Sequence, residues 1–282
     1  MSKGNRRKKH GLASRVFVQL FMLIVAILMI FPLYFMLSNS FKTSTEFLKN
    51  PVGPPVHFTF QTFLDAFKGK TFLQWFYNSI FLTAFSIMIT TIVSGLAAFA
   101  FAKMQFRGRN LLFSCMIPLM AIPPIVMLIP LFKITSVLHI LNTRISVILI
   151  YTGIMVPFTT YMFRNFFVSI PVSLMEAALI DGAGQFQSFS RIILPLSVPA
   201  IITACVVNAV WVWNELLIAL VFLQKESLRT VIVGITVFKQ RFTLNVPVIM
   251  AGLTLVTVPM IVFYIFGQRY LVQGLLSGAI KE

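Results

Sequence analysis

The sequence predicts an all-α, polytopic membrane protein with six transmembrane helices and a cytoplasmic helical loop between the fourth and fifth. Three observations carry this prediction. Apolar residues make up 58% of the 282 and charged residues only 11%, whereas a soluble domain runs near half and a quarter. Six stretches are nearly free of charge, each about twenty residues or longer and able to cross a bilayer as a helix. The 23 Lys and Arg residues, set against 7 acids for a net charge of +16, fall in the gaps between those stretches. Such hydrophobicity excludes a disordered chain. Cations confined to the gaps argue against nucleic acid as a partner.

The first fifteen residues form a basic tail, and the run from Val16 to Leu37 after it carries no charge. That run is too long for a signal-peptide core, and no A-x-A-like cleavage site follows it. It reads as a retained first span at 16–38 with its basic flank in the cytoplasm. Pro51, Pro54 and Pro55 then forbid a continuous helix in the next polar segment. A second span lies between Lys70 and Lys103, followed by the dense linker KMQFRGRN at 103–110. The third span, 111–132, is interrupted by Pro118, Pro123, Pro124 and Pro130; the fourth, between Arg144 and Arg164, contains Pro157. Broken helices survive in hydrocarbon only against protein or a water-filled cavity, which favours a place along a pathway. A simple kink also accounts for these prolines, since Pro is commoner in membrane helices.

An amphipathic connection leads to the fifth span at 197–222 and the sixth at 248–267. Residues 16–270 are thus expected to form one transmembrane domain between cytoplasmic tails at 1–15 and 271–282. Six spans put both termini on one side. Lys and Arg divide 13 to 10 between the inner and outer segments, so orientation rests on the first tail and the 103–110 linker.

Few residues suggest chemistry. Cys115 and Cys205 fall inside spans and read as plain buried thiols, with neither a disulfide nor a metal implied. His10, His57 and His139 show no ligand spacing. Glu215 is the only acid within a predicted span, which makes it a functional candidate, although a snorkelling glutamate near the outer end fits equally well. Trp211 and Trp213 suit either stacking on a ligand ring or an aromatic interface belt. The outer loop 223–247, with Lys225, Glu226, Arg229, Lys239 and Arg241, carries enough charge to meet another protein or simply to be solvated.

The connection from Arg164 to Ala200 is the most informative stretch. Ser173 and Glu176 have the spacing of a capping box, which would start a short helix just after Pro171. Leu174, Ala177, Ala178 and Asp181 share one face of that helix. Gly182 supplies its stop, with Gly184 close behind. A second short helix is expected from Gln185 to Ile193, ended by Pro195. The two small alanines leave room for another protein's backbone, so the whole reads as a docking element.

Glu176-Ala177-Ala178, Gly182 and Ile192-x-Leu194-Pro195 match the spacing EAA-x3-G-x9-I-x-L-P without gaps. This resembles the EAA motif of ABC importer permeases, and its extended form EAALIDGAGQFQSFSRIILPL is similar to the carbohydrate-uptake, maltose/multiple-sugar branch. The stretches FPLYFMLSNSFK (31–42), NSIFLTAFS (78–86), LAAFAFAKMQFRGRN (96–110), WNELL (213–217) and QRYLVQGLLSGAIKE (268–282) look like that branch too. Leu37-Ser38-Asn39-Ser40 departs slightly from the usual ending of the first helix.

The resemblance implies a permease subunit forming half of a translocation pathway in the cell membrane of a bacterium or archaeon, with N- and C-termini cytoplasmic. The expected partners are a second six-helix permease, two ABC ATPase subunits, an extracellular sugar-binding protein and a sugar substrate. The loop at 171–195 would be the coupling element, with Glu176, Ala177, Ala178, Asp181, Gly182, Ala183, Leu194 and Pro195 at or near the ATPase. Trp211, Asn214 and Glu215 are the substrate-pathway candidates. No G-x4-G-K-[ST] phosphate loop is present, and Leu276-Ser277-Gly278 continues as Ala-Ile rather than as an ABC signature. ATP and Mg are therefore expected on the partner ATPase, with no cofactor or metal on this chain and no catalysis of its own. A polyol, a sugar phosphate or another solute remains an alternative substrate. A secondary transporter is the rival class, although such proteins usually carry ionisable groups mid-membrane.

Overall fold

The computed structural model describes residues 12–67, 71–241 and 245–279. Most of the basic tail, and the last three residues of the C-terminal one, lie outside the described residues. Within them every regular element is helical. In order these are α1 (Leu12–Ser40), α2 (Ser44–Lys49), α3 (Gln61–Phe67), α4 (Thr71–Lys103), α5 (Arg109–Met116), α6 (Pro124–Val137) and α7 (Arg144–Ser169). There follow α8 (Val172–Ile180), α9 (Gln185–Ser188), α10 (Leu194–Leu196), α11 (Val198–Asn214), α12 (Leu217–Phe222), α13 (Val231–Arg241) and α14 (Val246–Ala279).

Four helices are long and apolar enough to span a membrane: Arg15–Ser40, Thr71–Lys103, Arg144–Ser169 and Val246–Gln268. Two further pairs pass the same test jointly but are sharply bent, Arg109–Ala121 with Pro124–Val137 by 105° and Gln185–Leu196 with Val198–Asn214 by 74°. Among the described residues there are therefore four to six apolar spans. The expected third span is two helices meeting at an angle, because Pro123 and Pro124 provide no N–H at the junction. The expected fifth span stops at Asn214 and resumes only at Leu217. Within the expected outer loop 223–247 stands a helix, α13, whose Val231 and Val233 are fully buried.

The chain divides into two compact units. The first comprises 1–66 and 242–254. Helix α1 exposes apolar side chains around its circumference, Phe21, Ile24 and Leu28 among them, as a lipid-facing helix does. Its last turn becomes polar and buried at Ser38, Asn39 and Ser40. Lys42, also fully buried, donates from Nζ to the carbonyls of Asn50 at 2.8 Å and Gly53 at 2.6 Å. Burial pushes the Lys42 ammonium below the usual lysine range, with Glu46 acting in the opposite direction. Asn39 Nδ2 donates to Pro51 O at 3.0 Å, Ser38 Oγ to Gly53 O at 3.1 Å and the Tyr34 hydroxyl to Val52 O at 3.1 Å. Beyond this clamp, Phe41 packs against Phe58, Phe60 and Phe63, and the Thr62 hydroxyl donates to Ser40 O.

The second unit, 67–241 and 255–282, is built on the long pairing of α4 with α7. Helix α4 buries Leu82, Ser86, Thr90, Ser94 and Ala98, a ladder at every fourth position. Small residues at that spacing let helix backbones approach closely where no water drives association. Two apolar clusters close the ends. Tyr151, Met155, Val212, Ile218 and Phe222 form one with Leu82; Phe99, Phe163, Phe167, Met175, Phe189 and Ile193 form the other with Ala98.

A polar knot ties the start of α4 to the segment preceding α13. Trp75 Nε1 donates to Glu226 O at 3.0 Å, and Asn78 Nδ2 to Ser227 O and Arg229 O at 2.8 and 3.0 Å. Arg144 donates to Asn78 Oδ1 at 2.8 Å, and Val231 N to Ser79 Oγ at 2.9 Å. Gly234 lies directly on the Trp75 ring; a Cβ there would stand 2.0 Å from the indole. Trp75 is 2% exposed and held by its own hydrogen bond, so it has no room to yield. Gly234→Ala is expected to cost about 1–3 kcal/mol through overpacking. A lowered melting temperature of the detergent-purified protein would show it, and an unchanged one would mean that the ring moves aside.

Candidate functional site

The helix–bend–helix expected between the fourth and fifth spans is present, with altered ends. Helix α8 starts from Pro171 as N-cap, with no side-chain cap. The capping box expected of Ser173 and Glu176 is thus not formed, because the helix begins at Val172 and Ser173 already lies within its first turn. The other end follows expectation in detail. Asp181 is the C-cap and Gly182 takes the left-handed conformation, φ 78°. Gly182 N donates to Leu179 O at 3.1 Å, and Ala183 N to Ala178 O at 2.8 Å. This pair of bonds is a Schellman motif, and glycine adopts its positive φ without a Cβ penalty.

The second helix does not end at Pro195. After α9 the chain widens into a π turn, Phe189–Ile193, and continues through α10 to Leu196. Leu194 N donates to Phe189 O, five residues back. A proline in a regular helix clashes with the carbonyl four residues before it. The wider turn shifts the hydrogen-bond register just before Pro195, and the chain bends instead at Ser197. Gly184 N is held by Gln187 Oε1 at 3.1 Å at the start of α9.

Burial sorts the motif into two faces. Met175 and Ala178, 7% and 8% exposed, turn inward onto the cluster of Phe99, Phe163, Phe167 and Phe189. Phe99 and Phe189 stand 5.1 Å apart, ring to ring. Glu176, Ala177, Asp181, Gly182 and Pro195 are exposed, while Ala183 and Leu194 are half-buried. The single shared face expected for Leu174, Ala177, Ala178 and Asp181 is therefore divided: Ala178 packs at home and Ala177 looks outward. Ile180 and Phe186, exposed at 87% and 73%, join the outward face. These two were absent from the motif reading, although bulky apolar residues flanking a glycine bend are a signal for them. Lys103 Nζ donates to Ile170 O at 2.6 Å, which ties the end of α4 to the base of the element.

The substrate-pathway candidates are not gathered in one place. Trp211 lines a groove of about 540 Å³ whose walls include Pro124, Met127, Gly153 and Pro157. The proline-broken third span and the Pro157 helix thus form two sides of one cavity. Asn214 and Glu215 do not line it. Asn214 is exposed and bonds back to Val210 O at 2.8 Å. Glu215 is tied down at the break between α11 and α12. Its carboxylate accepts from the Tyr151 hydroxyl at 2.7 Å and from Ile218 N and Ala219 N at 2.8 and 3.0 Å. It caps α12 rather than snorkelling, and a carboxylate is well placed at a helix N-terminus. The ring of Tyr151 meets Trp211 edge-on at 5.5 Å and 80°. Trp213, 6% exposed and edge-on to Phe76 at 5.5 Å, is buried in protein, outside both an interface belt and a ligand platform.

Comparison with known proteins agrees with the helical membrane architecture. Residues 92–277 match the family described as binding-protein-dependent transport system inner membrane component. The sulfoquinovosyl glycerol transport system permease protein SmoH of Agrobacterium fabrum (strain C58 / ATCC 33970) is 34% identical, over 89% of this chain and 89% of that one. The melibiose/raffinose/stachyose import permease protein MelC of Bacillus subtilis (strain 168) is 31% identical, over 92% of this chain and 94% of the relative. Among solved structures, a chain of a bacterial ABC transporter involved in the import of the acidic polysaccharide alginate superposes with a TM-score of 0.82. It is 25% identical, and the match covers 93% of this chain and 98% of that one.

The two faces of α8 predict opposite responses to one substitution. Ala178→Glu buries an unpaired carboxylate and should cost about 2–5 kcal/mol. Ala177→Glu places the same group in solvent and should change stability by less than about 0.5 kcal/mol. Thermal unfolding of both purified variants checks this, and equal losses would contradict the assignment of faces.

Proposed function

We infer, from the premise that this chain belongs to the family of binding-protein-dependent transport system inner membrane components, that it is the permease subunit of an ATP-driven sugar importer. It is an integral membrane protein and not an enzyme; the family supplies the membrane component of the transporter. The relatives named above differ in substrate but share a carbohydrate class. The observation that carries the mechanism is the two-faced element at 171–195. One face is bolted to the ends of α4 and α7, and the other is open to a partner.

In this reading the chain crosses the membrane six times, through α1, α4, α5 with α6, α7, α11 with α12, and α14. Both termini lie in the cytoplasm. A second permease supplies the other half of the pathway, and an extracellular binding protein delivers the sugar. Two ATPase subunits, holding ATP and Mg, dock on Glu176, Ala177, Asp181 and the Gly182 bend. Their closure displaces α8 and α9. Met175, Ala178 and Phe189 pass that displacement to Phe99, Phe163 and Phe167, which tilts α4 and α7 about the central groove. Packed cores switch between discrete arrangements rather than deforming smoothly, which lets a small movement at the docking face open or close a pathway. The groove beside Trp211 is the segment of this half-pathway that sugar would pass.

An affinity pull-down from native membranes, with stoichiometry from intact-complex mass spectrometry, should find two ATPase copies and a second six-span chain. A lone chain without ATPase would move the reading to a secondary transporter. Ala177→Glu puts a charge on the docking face, and Gly182→Pro forces φ near −65° where +78° is needed. Both should lower ATP-driven sugar uptake in proteoliposomes roughly tenfold or more while leaving membrane insertion intact. Normal uptake by both variants would refute docking at this element.

A further inference from the structure

The segment between the first two spans has a construction that the transport mechanism does not use. Four consecutive carbonyls, those of Asn50, Pro51, Val52 and Gly53, each receive a side-chain donor, from Lys42, Asn39, Tyr34 and both Ser38 and Lys42 respectively. Its amides are largely provided for as well. Asn50 N bonds to Glu46 O at 2.8 Å and Gly53 N to Asn50 Oδ1 at 2.8 Å, while Val56 N bonds to Glu46 Oε1 at 2.5 Å. Pro51, Pro54 and Pro55 have no N–H to satisfy. A loop in water needs none of this, since water hydrates its backbone. Irregular backbone in a water-poor place needs all of it, because an unbonded carbonyl there costs several kcal/mol, about as much as a lost hydrogen bond in hydrocarbon.

The side chains point to the same environment. Leu48, Val52 and Val56 are 80%, 53% and 71% exposed, while the nearby charges are largely occupied. Lys42 is turned inward onto carbonyls and Glu46 is bonded to Val56 N. Lys49 is exposed beside Leu48, where a long basic side chain snorkels from apolar surroundings to lipid phosphates.

The segment also folds back along α1. The Val52 carbonyl lies on the Tyr34 hydroxyl, and the Phe47 ring meets Phe35 at 6.5 Å. Tyr34 precedes the helix end at Ser40 by six residues, or about 9 Å along the axis. The loop therefore runs beside the last turns of an apolar span.

We propose that residues 48–56 are a membrane-interface anchor, with Leu48, Val52 and Val56 inserted into the headgroup–acyl boundary of the leaflet at the C-terminal end of α1. The partner is the lipid bilayer itself. The clamp of Tyr34, Ser38, Asn39 and Lys42 favours that insertion by leaving the carbonyls of residues 50–53 little to gain from water. The anchor holds the end of α1 at a set depth. It rests on the reading of α1 as a membrane span.

The test uses the assembled transporter in liposomes, with Cys115 and Cys205 replaced by alanine. A nitroxide label is placed singly at Leu48→Cys, Val52→Cys, Val56→Cys and, as reference, Ile27→Cys in the middle of α1. Collision with oxygen, which concentrates in lipid, is compared with collision with a water-soluble nickel chelate. Labels at 48, 52 and 56 should collide severalfold more with oxygen than with nickel, as the label at 27 does. Nickel preference at 48–56 with oxygen preference at 27 would overturn the anchor alone and make the segment a solvated loop. Protection from both reagents would also overturn it, and would mean that a protein partner covers the segment. Nickel preference at 27 would overturn the membrane reading of α1 and the anchor with it.

Discussion

Hydrocarbon offers no hydrogen bonds, and most of this structure follows from that constraint. Among the described residues the chain is helical wherever it runs through apolar sequence, because a helix satisfies its own backbone. At three of the interruptions a side chain or an altered register supplies the missing partner. Glu215 takes the first amides of α12 after the break at Asn214. A π turn carries the chain past Pro195. Lys42, Asn39, Ser38 and Tyr34 take the carbonyls of a proline-rich loop. Each of these residues is polar in a setting where polar residues are costly, and each has a specific backbone group to satisfy.

A related constraint shapes the two-faced element at 171–195. Outside hydrocarbon a short helix still leaves unsatisfied carbonyls at its end, and the Gly182 Schellman motif satisfies two of them within a sharp bend. That bend frees Asp181 and the flanking Ile180 and Phe186 to face outward while Met175 and Ala178 face the bundle. An element of nine residues has little stability of its own. Its position is set by the apolar cluster at the ends of α4 and α7.

Some expectations were legible only in part. Gly182 as a helix stop was readable because a glycine after an apolar helical stretch is a local signal. The Ser173 cap was misread because the start of a helix is decided by where the preceding chain leaves the bundle. Ile170 is packed in the apolar cluster and its carbonyl is held by Lys103, so α8 begins directly after Pro171. Pro195 was read as a terminator by the general rule, which a single wide turn evades. Helix α13 was hidden by the charges around it, although Val231 and Val233 fill a buried site beside α4.

The sequence by itself determined the membrane class, the approximate spans, the helix–bend–helix element and its glycine bend, because each depends on composition or spacing within a short window. Lipid reads a helix by its average hydrophobicity, and a bend reads a glycine by its φ. Only the tertiary structure decided which alanine of the motif faces inward, why Glu215 is tolerated, and which tryptophan reaches the groove. Those outcomes join residues far apart in the chain: Tyr151 to Glu215, Phe99 to Phe189, Trp75 to Gly234. They depend on how two helices cross and rotate against each other, and helices whose apolar residues run around most of their circumference carry no one-sided pattern to announce it.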